Sequence, residues 1–357
     1  MLLKSTKVKK EKTEPRIGCL IAYNLIRGSH LVKHGMNYWL TNLVDLLIDS
    51  GAFAAFRLGK PIDLDEYMGF LANHKDNLFG YFALDVIGDR KRTMDNLREM
   101  RKQGFRPWPV FTVGNTRKEM NEMFDQTEVL GIGGIQYSIW PFDPQSRLSY
   151  LKMITEWSEG RKMHFLGIAK EGILRAFKPY SCDASTWLNS AKFGRLSIYL
   201  GNGRWQHLFF DDIKTKGADK NISREVELEI SRAGFTLADL KNPAVWNNKY
   251  ETVSTEKSVL VHATSRSWIK YVIEFEKRFG TKMFLVIGGD ALADGKYPIP
   301  TQIRRLLGYT DPEDYGNRVK ELQKTMPKAS RMPSVREAGK EARTRIEKKK
   351  LKRRRIL

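Results

Sequence analysis

The stretch FGYFALDVIGDRKRTMDNLREMRKQGFRPWPVFTVG, residues 79–114, decides the fold. It begins with an apolar run (79–88) and continues with a charged segment that predicts a helix ending at Gly104. It then returns to an apolar run at 108–114. Strand, helix and strand in this order predict a βαβ unit, whose two strands lie parallel in one sheet.

The same alternation recurs on both sides of this unit. Short apolar runs that predict strands occupy residues 17–23, 44–49, 79–88, 108–114, 129–135, 163–169, 178–183 and 194–201. About eight such strands within roughly 200 residues predict a (β/α)8 barrel of the TIM type, in the α/β class. A doubly wound open sheet is the alternative.

The pattern changes after residue 202. The later segment looks mainly helical, with an amphipathic helix at 265–280 and one apolar strand candidate at 282–289. The predicted division is a basic N-terminal arm (1–16), a barrel core (17–210), a mainly helical elaboration that completes or flanks the barrel (211–325), and a basic tail, disordered or helical (326–357).

The formal net charge of +21 lies largely at the two ends of the chain. Residues 326–357 carry 13 Lys and Arg against 3 Glu, and residues 1–16 carry 6 against 2 acidic residues, so the body holds the remaining +7. Basic arms on a basic body predict a polyanionic partner, above all nucleic acid. A solvated tail that only aids solubility is the alternative.

Several classes of protein are disfavoured by composition. The two cysteines, Cys19 and Cys182, are too few for a disulfide framework, which fits a reducing cytoplasm. No Cys and His cluster has zinc-ligand spacing, so no metal site is predicted. No apolar run approaches the roughly 20 residues that span a bilayer, and the charged N-terminus lacks the apolar segment of a signal peptide. We therefore expect a cytoplasmic protein with no membrane segment.

Three of the predicted strands end on a carboxylate, at Asp49, Asp85 and Asp183. Two others end in glycines, namely Gly114 and the pair Gly133 and Gly134. Because the carboxyl ends of barrel strands surround the active site, these residues predict a pocket lined by carboxylates and open backbone. The alternative is that each aspartate caps the helix after its strand.

The stretch LVDLLIDSGAFAAFRLG (43–59) shows how such a pocket could be built. The small residues that follow Asp49, beginning with Ser50, leave room for a flat ligand. Phe53 could stack on the face of that ligand.

These residues resemble the guanine transglycosylases, which exchange a guanine in tRNA for a 7-deazaguanine. The motif DSGAF (49–53) is similar to the family's DSGGF/Y signature. Further motifs follow in the family's order: FALDVIGD (82–89), PVFTVG (109–114), LGIGGI (130–135), HFLGIA (164–169) and SCDASTWLNSAKFGRL (181–196). The resemblance covers about residues 17–210, over half of the chain.

The resemblance implies a mechanism with a covalent intermediate. Asp183 would attack C1′ of the nucleotide and form a glycosyl-enzyme, as carboxylate nucleophiles do in retaining glycosidases. Asp49 would protonate the departing guanine and then deprotonate the incoming free 7-deazaguanine base. One glycosidic bond replaces another, so no cofactor is implied.

The resemblance also implies which groups recognise the base. Asp85 would accept hydrogen bonds from the N1–H and the 2-amino group of guanine. Backbone of Gly133, Gly134 and Ile135 would line the base edge, since glycine permits close approach. The predicted base-binding set is Ser50, Phe53, Asp85, Gly114, Gly133, Gly134 and Ile135.

The chain departs from the family in two respects. Val113 stands where the family has a base-contacting glutamine, and the family's zinc site, built from three cysteines and a histidine, is absent. This shortened pattern is closest to the phage and bacterial branch that inserts 7-deazaguanines into DNA. We therefore expect DNA as the partner, with tRNA as the alternative. A non-catalytic nucleic-acid-binding subunit is a further alternative, and a phosphate-handling barrel enzyme is disfavoured because DASTWLNSAK (183–192) lacks glycine.

The remaining candidates have ordinary structural interpretations. His164 lies within a predicted strand and is interpreted as a packed core group, and the spacing of His30 and His34 only weakly suggests a metal pair. The hairpin RLSIYLGNGRW (195–205) could touch nucleic acid through Arg195, Arg204 and Trp205, or be purely structural. LGIGGI (130–135) lacks the full glycine pattern of a dinucleotide site.

Overall fold

In the computed structural model, an all-parallel sheet of eight strands curls around a common interior, and helices cover its outside. The structure describes residues 16–27, 44–135, 144–187, 195–209, 222–241 and 259–287. The predicted α/β class is confirmed, and the curled sheet is consistent with a TIM-like (β/α)8 barrel.

The strands alternate with helices along most of the chain. The strands are β1 (Gly18–Ala22), β2 (Asp45–Asp49), β3 (Gly80–Tyr81), β4 (Val110–Phe111), β5 (Val129–Ile132), β6 (Lys162–Phe165), β7 (Ser181–Ala184), β8 (Arg195–Gly201), β9 (Arg204–Phe209) and β10 (Lys282–Val286). The α-helices of the described residues are α1 (Tyr23–Ile26), α2 (Ala52–Arg57), α3 (Leu64–His74), α4 (Arg90–Lys102), α5 (Arg117–Phe124), α6 (Pro144–Ser158), α7 (Glu171–Phe177), α8 (Arg224–Arg232) and α9 (Val259–Phe279).

The predicted helix within residues 79–114 forms as α4. The side chain of Asp89 caps it by accepting a hydrogen bond from the Arg92 N–H at 2.9 Å. After the helix ends, Gly104 adopts a positive φ of 83°, which lets the chain reverse towards β4. The predicted end of the helix at Gly104 is therefore confirmed, and the structure adds the Asp89 cap at its start.

The sheet closes on itself. Its strand order is β3-β2-β1-β10-β7-β6-β5-β4, and the two end strands are joined by a parallel bridge between Phe82 and Trp108. The backbone N–H of Trp108 donates to the Tyr81 carbonyl, and the backbone N–H of Ala83 donates to the Trp108 carbonyl, each at 2.8 Å. These bonds link the ends of the strand order, as a barrel requires.

The eighth barrel strand is β10, and the prediction that residues 194–201 form it was wrong. β10 pairs in parallel with β1 on one side and with β7 on the other. Residues 195–201 instead form an antiparallel hairpin with β9 around Asn202 and Gly203, whose φ angles are 53° and 76°. Such positive φ values suit a tight hairpin turn. A strand from the 211–325 segment therefore completes the barrel. The sequence left open whether this segment completes or flanks the barrel.

The hairpin has a core of its own. Leu196, Ile198 and Leu208 are buried with Val226 and Ile230 of α8 in a cluster separate from the barrel interior. This packing explains why an apolar, alternating run need not belong to the barrel sheet, since its apolar face is covered by helices.

The barrel interior is filled by side chains from alternate positions of the strands. The buried interior cluster consists of Leu20, Leu47, Phe82, Trp108, Val110, Val129 and Phe284. A Cβ atom on Gly131 would lie 2.6 Å from a ring carbon of Phe82, so the absence of a side chain there makes room for that ring. The interior is thus a packed core, as in other closed barrels of this size.

Charged side chains close the amino end of the barrel. Asp45 opens β2 and pairs with Lys282, which opens β10, at 3.0 Å, and with Arg16 at 3.1 Å. The side chain of Lys282 is only 12% exposed. Ligand access is therefore expected at the opposite, carboxyl end of the strands.

Some predictions fall outside the described residues. These are the arm at 1–15, His30 and His34, the basic tail at 326–357, and the whole segment 288–325. Among the described helices, none is long and apolar enough to cross a membrane.

Candidate active site

Two of the three predicted carboxylates face the barrel interior at its carboxyl end. Asp49 is the last residue of β2 and lies two positions after Leu47, which is part of the interior cluster. Asp183 lies in β7, in register with the interior residue Phe284. Because side chains two residues apart share a face of a strand, both aspartates point inward above the apolar core.

The third carboxylate is bound to the neighbouring strand end. Asp85 follows β3, and the hydroxyl of Ser50 donates to its Oδ1 at 3.0 Å. The segment around Asp85 is held by two further bonds, from the Asn96 amide to the Leu84 carbonyl and from the Val86 N–H to the Thr93 hydroxyl, each at 2.9 Å. Ser50 is fully buried and Asp85 is half-buried, so this link between β2 and the end of β3 is partly shielded from water.

The alternative that these aspartates are helix caps is wrong for two of them. The residue that caps α2 is Gly51, with φ of 80°, and not Asp49. The residue that caps α4 is Asp89, and not Asp85. Neither carboxylate is therefore assigned to stabilising a helix end, which leaves both groups for the pocket.

The electrostatics of the site favour a proton on Asp49. Burial raises the pKa of Asp49 to about 7, and the charges of Asp85 and Asp183 add to the increase. The N–H groups of Gly51 and Ser50 bond to its carboxylate and partly oppose this rise in pKa. The influence of the two other carboxylates shows that the three groups share one end of the barrel.

Asp85 is perturbed less. Burial raises its pKa to about 6, and the hydrogen bonds from the Ser50 hydroxyl and from its own N–H oppose the increase. Asp49 and Asp85 are both half-buried as residues. The pKa values of both carboxyl groups are therefore raised towards neutral pH, so each group can gain or release a proton there.

Asp183 contacts polar groups on β6 and on the loop after it. Its Oδ1 accepts the Gly167 N–H at 2.7 Å and faces Nε2 of His164 at 3.3 Å. Nδ1 of His164 lies 2.8 Å from the hydroxyl of Ser181. Asp183 itself is only 6% exposed. The predicted nucleophile therefore sits in a prepared hydrogen-bonding site.

The predicted glycines lie in the loops that follow β4 and β5. Gly134 and Gly114 have positive φ values of 77° and 93°, and a Cβ on Gly114 would meet no atom within 4 Å. A Cβ on Gly133 would lie 3.0 Å from Val110. Ile135 is buried in the core between sheet and helices, so only its backbone remains to line a ligand. Gly114 and Gly134 thus have room around their backbone, whereas the missing side chain of Gly133 makes room for Val110.

The loop after β4 carries Val113, whose side chain has no hydrogen-bonding group. Asn115 fixes this loop, since its Oδ1 accepts the Thr112 N–H at 2.9 Å and the Thr112 hydroxyl at 3.1 Å. Val113 is half-buried and offers no hydrogen bond from its side chain. Any polar contact from residue 113 to a ligand must therefore come from its backbone.

Phe53 lies in the first turn of α2 and is half-buried. A different residue, Asn24, contacts the turn between β2 and α2: a Cβ on Gly51 would lie 2.2 Å from Asn24 Oδ1. Gly51 therefore has two reasons to be glycine, its φ of 80° and this close approach.

The hairpin candidates are mainly structural. Arg204 pairs with Glu225 of α8 at 3.0 Å. The Trp205 ring packs against Tyr199 at 4.9 Å and Trp268 at 5.2 Å between ring centroids. Two of the three predicted nucleic-acid contacts therefore have partners within the protein.

The main residues that sequence reasoning missed are His164, Ser181 and Gly167. The prediction that His164 is a buried core group is confirmed, because it is fully buried, but it also contacts Asp183. Its inward direction follows from its register with Gly131 and Ser181, which only the paired strands reveal.

Comparison with known proteins gives no relative: the chain matches no protein-family model, no curated protein and no solved structure. Among the described residues, no group of three or more His, Cys, Asp and Glu side chains is placed to hold a metal ion.

Proposed function

We propose that the protein is a guanine transglycosylase that exchanges guanine in DNA for a 7-deazaguanine base. The observation that supports this most directly is the different surroundings of the three carboxylates. Asp183 is held by two donors, while the pKa values of Asp49 and Asp85 are raised to about 7 and about 6. A nucleophile, an acid and a recognition anion are the three groups that this reaction requires.

The first half-reaction breaks the bond between C1′ and N9 of guanine. Asp183 attacks C1′ and becomes an ester, while the electron pair of the broken bond leaves with N9. Asp49 begins protonated and gives its proton to the departing guanine, so it ends as a carboxylate. A pKa of about 7 suits this role, because a substantial fraction of Asp49 holds a proton at neutral pH.

The second half-reaction reverses these steps with a different base. Asp49, now ionised, takes the proton from N9 of the incoming 7-deazaguanine, whose nitrogen then attacks C1′. The ester bond breaks and Asp183 leaves as a carboxylate. Atoms and charges balance over the two halves, so neither a cofactor nor an energy source is required.

Asp85 serves recognition rather than bond breaking. As an anion it can accept both the N1–H and the 2-amino group of guanine or of a 7-deazaguanine. The Ser50 hydroxyl fixes one oxygen of this carboxylate and opposes the rise of its pKa. The bond therefore favours the ionised form that the base requires.

Nucleic acid is the proposed partner because of the charge of the chain. The net charge is +21, and cations concentrate at the two ends of the sequence. DNA is proposed over tRNA from the resemblance to the DNA-acting branch. A base within a duplex must be flipped out to reach a site at the mouth of a barrel.

The test is incorporation of labelled guanine by the full-length protein, with duplex DNA and unmodified tRNA offered separately. Label in DNA alone is expected. Label in tRNA alone would favour the tRNA alternative, and binding of nucleic acid without any exchange would favour a non-catalytic subunit. Asp95→Asn is the matched control for replacements of the three carboxylates, because Asp95 lies on the exposed face of α4 and contacts Arg98.

A further inference from the structure

We propose that His164 and Ser181 form a positioning pair that holds one oxygen of Asp183 and leaves the other free to attack. The inference rests on the proposed function and goes beyond it, because it assigns a role to residues inside the barrel. His164 and Ser181 touch neither the base nor the reacting carbon and act through Asp183.

The register of two neighbouring strands creates this arrangement. His164 of β6 is the partner of Ser181 of β7, and both lie one layer below Asp183 on the inner face of the sheet. The imidazole bridges the two layers, with Nδ1 at 2.8 Å from Ser181 Oγ and Nε2 at 3.3 Å from Asp183 Oδ1. One rigid ring thus joins the barrel core to the carboxylate above it.

The chemistry of the partners assigns the proton. A carboxylate only accepts hydrogen bonds, so Nε2 of His164 carries the hydrogen that faces Asp183. In the neutral ring Nδ1 is then an acceptor, and the hydroxyl of Ser181 donates to it. Ser181 therefore selects the tautomer that can hold Asp183.

Aromatic packing prevents the ring from turning away. His164 is fully buried, and the rings of Phe82, Trp108 and Phe284 surround it with centroid distances of 5.2, 5.9 and 6.0 Å. Gly131 lies beside His164 in register and leaves the space that Phe82 occupies. The imidazole is thus fixed by its own packing as well as by its hydrogen bonds.

The two oxygens of Asp183 are left in different states. Oδ1 accepts both the Gly167 N–H and the His164 N–H. Within the described residues, Oδ2 accepts no hydrogen bond, so it is the oxygen available to C1′. The same two donors remain beside Oδ1 when the ester breaks, where they stabilise the carboxylate that is released.

The experiment compares His164→Gln with His164→Met in the full-length protein. The amide of glutamine can donate near the position of Nε2, whereas methionine fills similar volume without a donor. We expect His164→Met to lower kcat for base exchange on the order of 100-fold with little change in KM for the free base, and His164→Gln to recover much of the loss. His74→Gln replaces another buried histidine, in α3, and should leave kcat unchanged.

Two outcomes overturn the positioning role: a His164→Met enzyme with wild-type kcat, or equal losses in His164→Met and His74→Gln. If His164→Met does not fold, Ser181→Ala serves in its place, because it removes only the donor to Nδ1 and should also lower kcat. A wild-type enzyme that exchanges no base in DNA or tRNA would refute the proposed function instead.

A spectroscopic measurement decides the contact without activity. The protein is labelled with ¹⁵N at its six histidines, and the signal of His164 is identified as the one that is absent from the spectrum of His164→Gln. In the wild-type spectrum that signal should show a hydrogen on Nε2. A ring protonated only on Nδ1 would overturn the proposal, because its lone pair would face the carboxylate.

Discussion

Ser50 donates its hydroxyl hydrogen to Asp85 at 3.0 Å and so links the end of one barrel strand to the carboxylate that follows the next strand. The bond is buried on the Ser50 side and opposes the rise in the pKa of Asp85 that burial causes. The ionised fraction of Asp85 at neutral pH therefore depends on a neighbour that does not itself need to touch the base.

Replacing Ser50 tests this dependence. In Ser50→Ala the pKa of Asp85 should rise further above about 6, so less of it is ionised near neutral pH. KM for the free base should increase several-fold, roughly as expected for loss of one charge-assisted hydrogen bond, and the increase should shrink as the pH is raised. An unchanged KM at slightly acid pH would contradict this account of Asp85.

The pH dependence of exchange should follow the two raised pKa values. Base recognition requires ionised Asp85 and falls off below about 6, while guanine departure requires protonated Asp49 and slows above about 7. A bell-shaped profile of kcat/KM with its maximum between these values is expected. A flat profile across this range would show that neither group titrates in the rate-determining steps.

Asp49 should lower the stability of the protein at alkaline pH. Its pKa is raised from 3.8 to about 7, so the folded protein retains a proton that the unfolded chain releases in this interval. Stability therefore falls as the pH rises through that window. Asp49→Asn should raise the free energy of unfolding by on the order of 1–3 kcal/mol at pH 8, with little gain at pH 4. Urea denaturation at the two pH values measures the difference, and an equal gain at both would point to a cause other than ionisation.

Two replacements of Asp183 should separate chemistry from folding. Asp183→Ala abolishes the nucleophile but also leaves the Gly167 N–H and the His164 ring without their acceptor, at a cost of about 1–3 kcal/mol. Asp183→Asn keeps an acceptor oxygen and should be as inactive in base exchange with a smaller loss of stability. Nucleic-acid binding should survive in both variants, as gel-shift titration can show. Exchange at the wild-type rate in either variant would refute the role of Asp183.

The charged cluster at the amino end of the barrel should affect stability alone. Lys282→Met removes one of the two cations beside Asp45 and should cost about 1–3 kcal/mol of unfolding free energy. The turnover number at saturating substrates should not change, because the site lies at the other end of the strands. The double variant Asp45→Asn, Lys282→Met should recover part of the stability, since no buried charge then lacks its partner.

The basic tail should act on binding rather than on turnover. Residues 326–357 carry 13 Lys and Arg against 3 Glu, and each phosphate that they neutralise releases counterions. Deleting the tail should weaken binding to all sequences and flatten the dependence of log K on log salt. Saturating turnover should stay close to that of the full chain. Equal affinity and equal slope in the truncated protein would leave the tail only a role in solubility.

Local sequence was sufficient to place the three carboxylates at the strand ends. Asp49 and Asp85 follow apolar runs, and glycines mark the turns, so the alternation of strand and helix could be read without any distant contact. The same kind of signal misassigned residues 194–201, because an alternating run pairs equally well with a hairpin neighbour or with a barrel strand. Whether residues 194–201 form a barrel strand depended on β10, which takes that place in the sheet and lies more than 80 residues further along the chain.

The contact between His164 and Asp183 could not be predicted for a related reason. The two residues are 19 positions apart and meet only because β6 and β7 are aligned in a particular register. The residues next to a histidine in an apolar strand do not indicate which carboxylate will contact it. Its burial was predictable from the pattern, whereas its partner was a property of the assembled sheet.

The position of β10 between β1 and β7 also bears on how the molecule folds. The first seven strands can assemble in chain order, but the edges of β1 and β7 expose unpaired backbone until the last strand inserts between them. Closure joins segments separated by more than 250 residues, so the chain loses the entropy of a long loop late in folding. We therefore expect this step to be slow. A chain that stops before residue 282 would keep both edges open, and open edges of this kind are where partly folded proteins associate with one another.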